Sequence, residues 1–377
     1  MLDIKKFLSG FEASLSVRRP PTSDAVRGAI ALAFDLQATT PARRVLMISN
    51  FPKYQTIELA AQLLALAADV AGESPADALS LLDTFEVLAD LPAFERDEST
   101  MRAIADLSGL AQIRRAVTLM KLNRIEDAAT IIRLCAYLDL ATVEDQGELL
   151  EARARLAAIR QQLPQALGAL AAAKKLYEGI GDNHLVGRAL LAQGFAYGEA
   201  RRNDLAVTAL LDACEKIDAS RDRRLALAAS INLARALRDS GRSDDALEVV
   251  HLTRRFVSAV ARKIDRLHVQ WLEAGLLADV GQFSRSANAY LDVARAFAEE
   301  ELVLEVAELA LEAVETFSYV DRTAELAPLL AIAVQAFRAQ NLEEDHMAAW
   351  LLLQNEVARQ VVSAAALQRV RVALSLR

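Results

Sequence analysis

The sequence predicts an all-α protein, a solenoid in which helical hairpins stack one on the next. Its apolar residues, 53% of the chain, are mostly Ala and Leu, and aromatic residues contribute only 5%. With 14 Gly and 8 Pro among 377 residues, few turn residues are available to bound strands. A chain of this length exceeds one ordinary core, so it forms either several domains or one elongated array.

A period of about 40 residues favours the array. Its anchors are Ala166, Ala206, Ala246, Ala287 and Ala327. Four residues after them come Leu170, Leu210, Val250, Leu291 and Ala331, and seven after them Ala173, Ala213, Thr253, Ala294 and Val334. Positions i, i+4 and i+7 share one helical face, so each anchor opens an amphipathic helix.

A second helix precedes each anchor. Twelve residues before four of the anchors stand the small residues Ala154, Gly194, Ala234 and Gly275, and sixteen before all five stand Leu150, Leu190, Ser230, Trp271 and Leu311. Small residues let two antiparallel helices touch, and bulky ones fill the layer between hairpins. This pattern resembles the tetratricopeptide-repeat (TPR) superfamily.

The resemblance implies a right-handed superhelical solenoid of antiparallel helix-turn-helix repeats. The TPR consensus has about 34 residues, so a period near 40 indicates longer helices or loops, as in bacterial regulatory members. The sequence also departs from the consensus at Ser230, where a bulky residue belongs, and at Glu315, where a small one belongs. The consensus Pro that ends each repeat is absent.

The repeat pattern weakens towards both ends of the chain. Ala128 and Ala78 anchor earlier, less regular hairpins, so residues 1–95 are predicted to be degenerate N-terminal repeats or a cap. Residues 96–340 form the predicted array, and 341–377 form C-terminal capping helices that cover its apolar end. Whether residues 1–50 form a separate functional element is left open.

Charge and motifs exclude several classes of function. A net charge of -8 and a pI near 5.3 disfavour nucleic acid as a partner. Lys5, Lys6 and Glu12 interrupt the N-terminal apolar residues, and no apolar run could span a bilayer, so the sequence predicts a cytoplasmic protein without a membrane partner. Cys135 and Cys214 are expected to be buried thiols. The absence of catalytic and metal-ligand motifs predicts no enzyme, cofactor or metal.

The TPR resemblance implies a concave groove lined by the first helix of each hairpin. Mapped onto this chain, the groove positions include the basic residues Arg155, Arg188, Arg235 and Arg238 and the apolar residues Phe195, Ile231, Leu272 and Leu276. Arg binds carboxylates through its bidentate fork, so a peptide with acidic groups is the predicted ligand. The alternative is that these Arg residues pair with neighbouring Asp and Glu.

Two functions remain compatible with the sequence. The first is a non-catalytic protein- or peptide-binding TPR scaffold, an intracellular adaptor or regulatory module for a signalling or transcription factor. The second is a self-assembling structural module that forms homo-oligomers through its end faces or through the C-terminal helix around Trp350.

Overall fold

The computed structural model describes residues 23–72, 74–95, 97–138, 140, 142–260, 263–300, 302–332, 354, 355 and 357. Within these ranges all regular structure is helical, which confirms the predicted all-α class. Residues 1–22 of the predicted N-terminal segment lie outside the described residues. So do the predicted capping helices at 341–377, apart from the three positions named, and the boundaries at 95 and 340 stay predictions.

The helices follow one another with short connections. The earlier ones are α1 (Asp24–Gln37), α2 (Pro41–Asn50), α3 (Ile57–Val70), α4 (Pro75–Ala89), α5 (Glu98–Lys121) and α6 (Ile125–Cys135). The later ones are α7 (Val143–Ile159), α8 (Leu163–Gly179), α9 (Asn183–Glu199), α10 (Asn203–Lys216), α11 (Arg223–Asp239), α12 (Ser243–Val260), α13 (Lys263–Asp279), α14 (Phe283–Glu299) and α15 (Val303–Tyr319). Short 3-10 turns occupy Pro52–Tyr54, Pro92–Glu95 and Thr323–Leu326.

The later helices repeat with the period that the sequence shows. We call α3, α5, α7, α9, α11, α13 and α15 the A helices and α4, α6, α8, α10, α12 and α14 the B helices. From α7 onwards the A helices begin at residues 143, 183, 223, 263 and 303, and each has 17 residues. The B helices from α8 onwards begin at 163, 203, 243 and 283. The 40-residue period of the sequence is therefore a period of the fold.

The chain forms two compact units. The N-terminal unit contains the described residues of 14–202 together with 212–221, and the C-terminal unit contains 203–211 and the described residues from 222 onwards. In the N-terminal unit α3 packs on α4, α5 on α6 and α7 on α8, while successive A helices also touch. In the C-terminal unit α11 packs on α12 and α13 on α14, and α13 contacts both α11 and α15.

Each described A helix from α5 onwards is followed, two positions after its last residue, by a residue with left-handed backbone. These residues are Asn123, Gln161, Arg201, Gly241, Gly281 and Asp321, with φ between 54° and 80°. In each case the next N–H reaches back five residues, as from Gln162 to the Ala157 carbonyl at 2.8 Å and from Arg242 to that of Leu237 at 2.8 Å. This Schellman motif satisfies carbonyls that the helix end leaves free and reverses the chain.

Side-chain caps fix the starts of five A helices, from α3 to α11. Thr142, Asp182 and Asp222, again 40 residues apart, accept hydrogen bonds from the third residue beyond them at 3.0, 3.1 and 2.9 Å. An N-cap oxygen replaces a missing intrahelical acceptor, which stabilises a helix by about 1 kcal/mol. Turn and cap together mark the two ends of α7, α9 and α11, which have equal lengths.

The anchor alanines lie where the sequence pattern puts them, inside the core. Ala166, Ala206, Ala246 and Ala287 are completely buried, each at the fourth or fifth residue of its B helix. The residues seven positions further on are also buried. Ala327 is only partly buried, and Val334 of its stripe lies outside the described residues. The small positions therefore form the contact surface between helices.

Adding volume at an anchor should loosen this contact. We expect Ala166→Leu to lower the free energy of unfolding by about 1–3 kcal/mol, because a packed site cannot absorb three extra carbons without strain. Ala172→Leu is the control, since Ala172 is exposed on the same helix and should change stability by less than about 0.5 kcal/mol. Urea unfolding followed by circular dichroism would measure both, and equal effects would contradict the assignment.

Substitution of two glycines of the N-terminal unit by Ala should change the stability of the protein in opposite directions. Gly181, in the turn after α8, has φ of 71°, so Gly181→Ala is expected to cost about 1 kcal/mol or more. Gly168 lies inside α8, where an added Cβ meets nothing within 4 Å, so Gly168→Ala should stabilise the protein by up to about 1 kcal/mol. Thermal unfolding of the two variants checks the signs, and shifts in the same direction would refute the argument.

Candidate functional site

The predicted groove residues all lie on A helices. Those of the N-terminal unit are Arg155 on α7 and Arg188 and Phe195 on α9; those of the C-terminal unit are Ile231, Arg235 and Arg238 on α11 and Leu272 and Leu276 on α13. Whether they bind a peptide remains a prediction. The structure shows, however, which of them have a free surface and which are already engaged.

Arg188 is held by a network inside the N-terminal unit. Its Nε is 3.0 Å from Glu151 Oε1, its Nη2 donates to the Tyr177 hydroxyl at 2.8 Å, and Glu148 lies 3.8 Å from Nη1. Tyr177 in turn donates to Glu151 at 3.0 Å. Burial opposes the charge on Arg188, but Glu151 and Tyr177 outweigh it and raise its pKa. The guanidinium is therefore satisfied within the protein.

The same network perturbs the two groups that Arg188 binds. Burial raises the pKa of Glu151, although Arg188 and Tyr177 work in the opposite direction. Burial also raises the pKa of Tyr177, and Glu151 adds to the effect. Gly147 faces this hydroxyl so closely that a Cβ would collide with it, which explains why a residue without a side chain stands there.

Arg238 has an equivalent environment in the C-terminal unit. Its Nε is 2.7 Å from Asp279 Oδ2, and its Nη1 is 2.7 Å from Glu312 Oε1. The Tyr290 hydroxyl donates to the same Glu312 oxygen at 3.0 Å. A Cβ on Gly275 would come within 2.5 Å of the guanidinium nitrogens, so this glycine leaves room for the ion pairs. For Arg188 and Arg238, pairing within the protein is confirmed.

The two leucines on α13 are not available to a ligand. Leu272 is 6% exposed and Leu276 is 0% exposed. Helix α13 packs against α12, α14 and α15, which accounts for the burial of both side chains. Their predicted role as apolar contacts in a groove does not fit this environment. Ile231 on α11 is partly exposed and keeps some free apolar surface.

Arg155 and Arg235 differ from the other two arginines. Both are exposed, and neither makes a hydrogen bond or an ion pair with any residue that the structure describes. Burial nevertheless lowers the pKa of each, with Glu151 opposing the shift at Arg155 and Asp239 at Arg235. Each guanidinium is therefore in contact with solvent but has lost part of its hydration shell to neighbouring protein atoms.

Phe195 shares the register of these two arginines. All three stand eleven residues before an anchor alanine, and Phe195 is 53% exposed on α9. An aromatic side chain with half its surface in water offers apolar contact without a packing role of its own. In the N-terminal unit, α7 and α9 touch, so Arg155 and Phe195 are presented by neighbouring A helices.

An aromatic cluster in the C-terminal unit lies near Arg235. The ring of His268 is 6.0 Å from that of Trp271 and 5.3 Å from that of Phe297. Burial lowers the pKa of His268, and Arg235 lowers it further. Trp271 Nε1 donates to Glu312 at 2.7 Å, so the cluster continues into the Arg238 network.

The sequence did not predict which residues pair with Arg188 and Arg238. Tyr177 lies 11 positions from Arg188, and Glu312 lies 74 positions from Arg238. Tyr290, which donates to Glu312, lies 22 positions from it, and no spacing rule connects such pairs. The single available signal was the glycine opposite each network, at 147 and 275, where a small residue indicates close approach.

The part of the chain that the structure describes contains no metal-ligand cluster, no membrane-spanning helix and no cysteine pair. Within it, no cluster of His, Cys, Asp and Glu could hold a metal ion, and no helix combines the length and apolar character needed to cross a bilayer. Cys135 and Cys214 are free and buried, as predicted, and burial raises the pKa of both thiols.

Known proteins resemble this chain in structure rather than in sequence. No protein-family model and no curated protein matches the sequence. A Rap protein crystallised with competence and sporulation factor has a TM-score of 0.58 at 12% identity, over 85% of this chain and 87% of that one. The apo form of RapI has a TM-score of 0.59 at 11% identity, over 84% and 86%.

The chain has a TPR-like fold. Its helices pack in consecutive pairs within each unit, and buried small residues recur at the helix contacts. Identities this low show the fold alone. The ligands of the two Rap proteins do not transfer to this chain by similarity.

Removal of Arg188 should make stability depend more strongly on pH. Because the pKa of Glu151 is raised in the folded state, its contribution favours folding at low pH and is lost as pH rises through that pKa. Arg188 lowers this pKa, so Arg188→Ala should raise it further. We expect the variant to lose about 1–3 kcal/mol at neutral pH and less in acid.

Urea unfolding at several pH values measures this effect. The control combines Arg188→Ala with Glu151→Gln, which removes the titrating group and should flatten the extra pH dependence. Parallel stability curves for the wild type and Arg188→Ala would show that Glu151 does not depend on Arg188.

Proposed function

We propose that the chain is a non-catalytic peptide-binding scaffold, an intracellular adaptor or regulatory module for a signalling or transcription factor. The observation that carries this proposal is the pair Arg155 and Arg235, exposed on A helices and without a hydrogen bond or ion pair among the described residues. Two free, buried thiols fit a reducing compartment.

A carboxylate is the natural partner of such a guanidinium. Protein atoms have displaced part of its hydration, and no described residue supplies a hydrogen-bond acceptor, which leaves the charge under-compensated. A carboxylate restores two parallel hydrogen bonds through the planar fork. An incoming Asp, Glu or C-terminal carboxylate therefore gains more here than at a fully hydrated surface arginine.

Apolar surface accompanies each free arginine. Ile231 precedes Arg235 by four residues, one turn along the same face of α11. Phe195 accompanies Arg155 on the neighbouring A helix of the N-terminal unit. A peptide that combines an acidic group with an apolar side chain fits either arrangement, whereas Arg188 and Arg238 are left out because their charges are already paired.

The comparison supports a ligand-binding role in general terms. The Rap protein with a TM-score of 0.58 was crystallised in complex with competence and sporulation factor. The identity of 12% provides no basis for the same ligand. The chemistry of the free arginines, and not the comparison, therefore defines the proposed ligand class.

Selection from a random peptide library tests the proposal. With the full chain as bait, we expect enrichment of short peptides with Asp, Glu or a free C-terminal carboxylate beside an apolar residue. Arg155→Glu or Arg235→Glu should weaken the selected peptides about tenfold or more, since a charged hydrogen bond contributes about 1.5–3 kcal/mol.

Arg133→Glu is the matched control. Arg133 is exposed on the B helix α6. Its substitution by Glu changes the net charge by the same amount as the other two variants, but at a position outside the A helices. All three variants should keep their thermal stability within about 0.5 kcal/mol. Enrichment of basic peptides, or an equal loss of binding in Arg133→Glu, would rule out the arginine sites.

A further inference from the structure

An open depression lies among three A helices of the N-terminal unit, and Arg155 is not one of the residues that line it. It is formed by α3, α5 and the start of α7, and its volume is about 550 Å³. Its apolar residues include Ile57, Ala61, Leu107 and Leu110, all partly exposed. A volume of this size accommodates a few side chains of a bound segment.

Carboxylates line the same depression. Asp106 of α5 and Glu144 and Asp145 of α7 are its charged residues. Neither Asp106 nor Glu144 forms an ion pair within the described ranges, in contrast to Glu148 and Glu151, which Arg188 holds. The depression therefore combines apolar surface with two carboxylates, Asp106 and Glu144, that form no ion pair with a described residue.

The negative charge of Asp145 is also incompletely compensated by its surroundings. Burial raises its pKa in spite of a hydrogen bond with Thr142, and Glu148 and Glu144 raise it further. Arg114 acts in the opposite direction but does not offset them. Positive charge brought to this depression would therefore stabilise the carboxylates in their ionised form.

A single metal ion does not fit these carboxylates. Among the described residues no three potential ligands converge on a metal position. Separate cations on one apolar segment fit better, because each can meet a different carboxylate while its apolar neighbours cover the leucines. Helices with an apolar stripe flanked by Lys or Arg have this chemistry.

We infer that the depression binds a basic amphipathic segment of a partner protein, with apolar side chains against Ile57, Leu107 and Leu110 and with Lys or Arg beside Asp106 and Glu144. This inference goes beyond the proposed function, because it concerns another site and a ligand of opposite charge. It does not depend on Arg155 or Arg235.

Three synthetic peptides of equal length test the inference against the full chain. One places Leu at helical i, i+3, i+4 spacing among Lys, the second replaces Leu by Ser, and the third replaces Lys by Glu. We expect fluorescence anisotropy to show binding of the Lys/Leu peptide alone. The double variant Asp106→Lys with Glu144→Lys should weaken it about tenfold or more, since attraction becomes repulsion at two contacts.

Matched variants separate this site from general attraction to an acidic protein. Glu199→Lys with Glu215→Lys makes the same change of net charge at two exposed positions of the same unit and should change affinity less than about twofold. Leu107→Ser keeps every charge and should also weaken the Lys/Leu peptide. Arg155→Glu should leave it unaffected, so failure here is distinguishable from failure of the acidic-peptide proposal.

Four outcomes would overturn the inference. They are equal binding of the Lys/Ser peptide, binding of the Glu/Leu peptide, equal losses in both double variants, and no loss in Asp106→Lys with Glu144→Lys. Size-exclusion chromatography with light scattering supplies a fifth criterion. If the double reversal at the depression changed the oligomeric state, the occupant would be a second copy of the chain.

Discussion

The structure depends on close contact between helices at buried alanines. Ala78, Ala128, Ala166, Ala206 and Ala246 each stand at the fourth residue of a B helix and have no exposed surface. A side chain of one carbon brings two backbones near enough for the flanking leucines to interdigitate. Because every hairpin repeats this contact, each unit grows by adding hairpins rather than by enlarging one core.

Regular packing also determines where charge can be placed. The A helices from α7 onwards have equal length and are each followed by the same turn, so they present equivalent positions in each repeat. At some of these positions an arginine meets carboxylates of other A helices, as Arg188 and Arg238 do, and Arg188 also donates to a tyrosine hydroxyl. At others, such as those of Arg155 and Arg235, the neighbouring helices supply no partner within the described residues, and the charge stays free.

The same principle distinguishes two surfaces of opposite character. Among the described residues, Arg155 and Arg235 have no hydrogen-bond acceptor for their positive charge, and Asp106 and Glu144 have no ion-pair partner for their negative charge. In both cases apolar surface lies beside the uncompensated charge. A scaffold with such surfaces could hold two different segments, and the two proposals can be tested separately because they rest on different residues.

The sequence by itself determined the helical class, the 40-residue period and the buried face of each B helix, because these depend on local spacing. It also placed the arginines on the A helices. Only the tertiary structure decided that the charges of Arg188 and Arg238 are paired within the protein. It also decided that Leu276 is buried and that Phe195, at the same repeat position, is exposed. These outcomes depend on which helices pack around each position. Partners such as Glu312, which lies 74 residues from Arg238, are brought there only by folding.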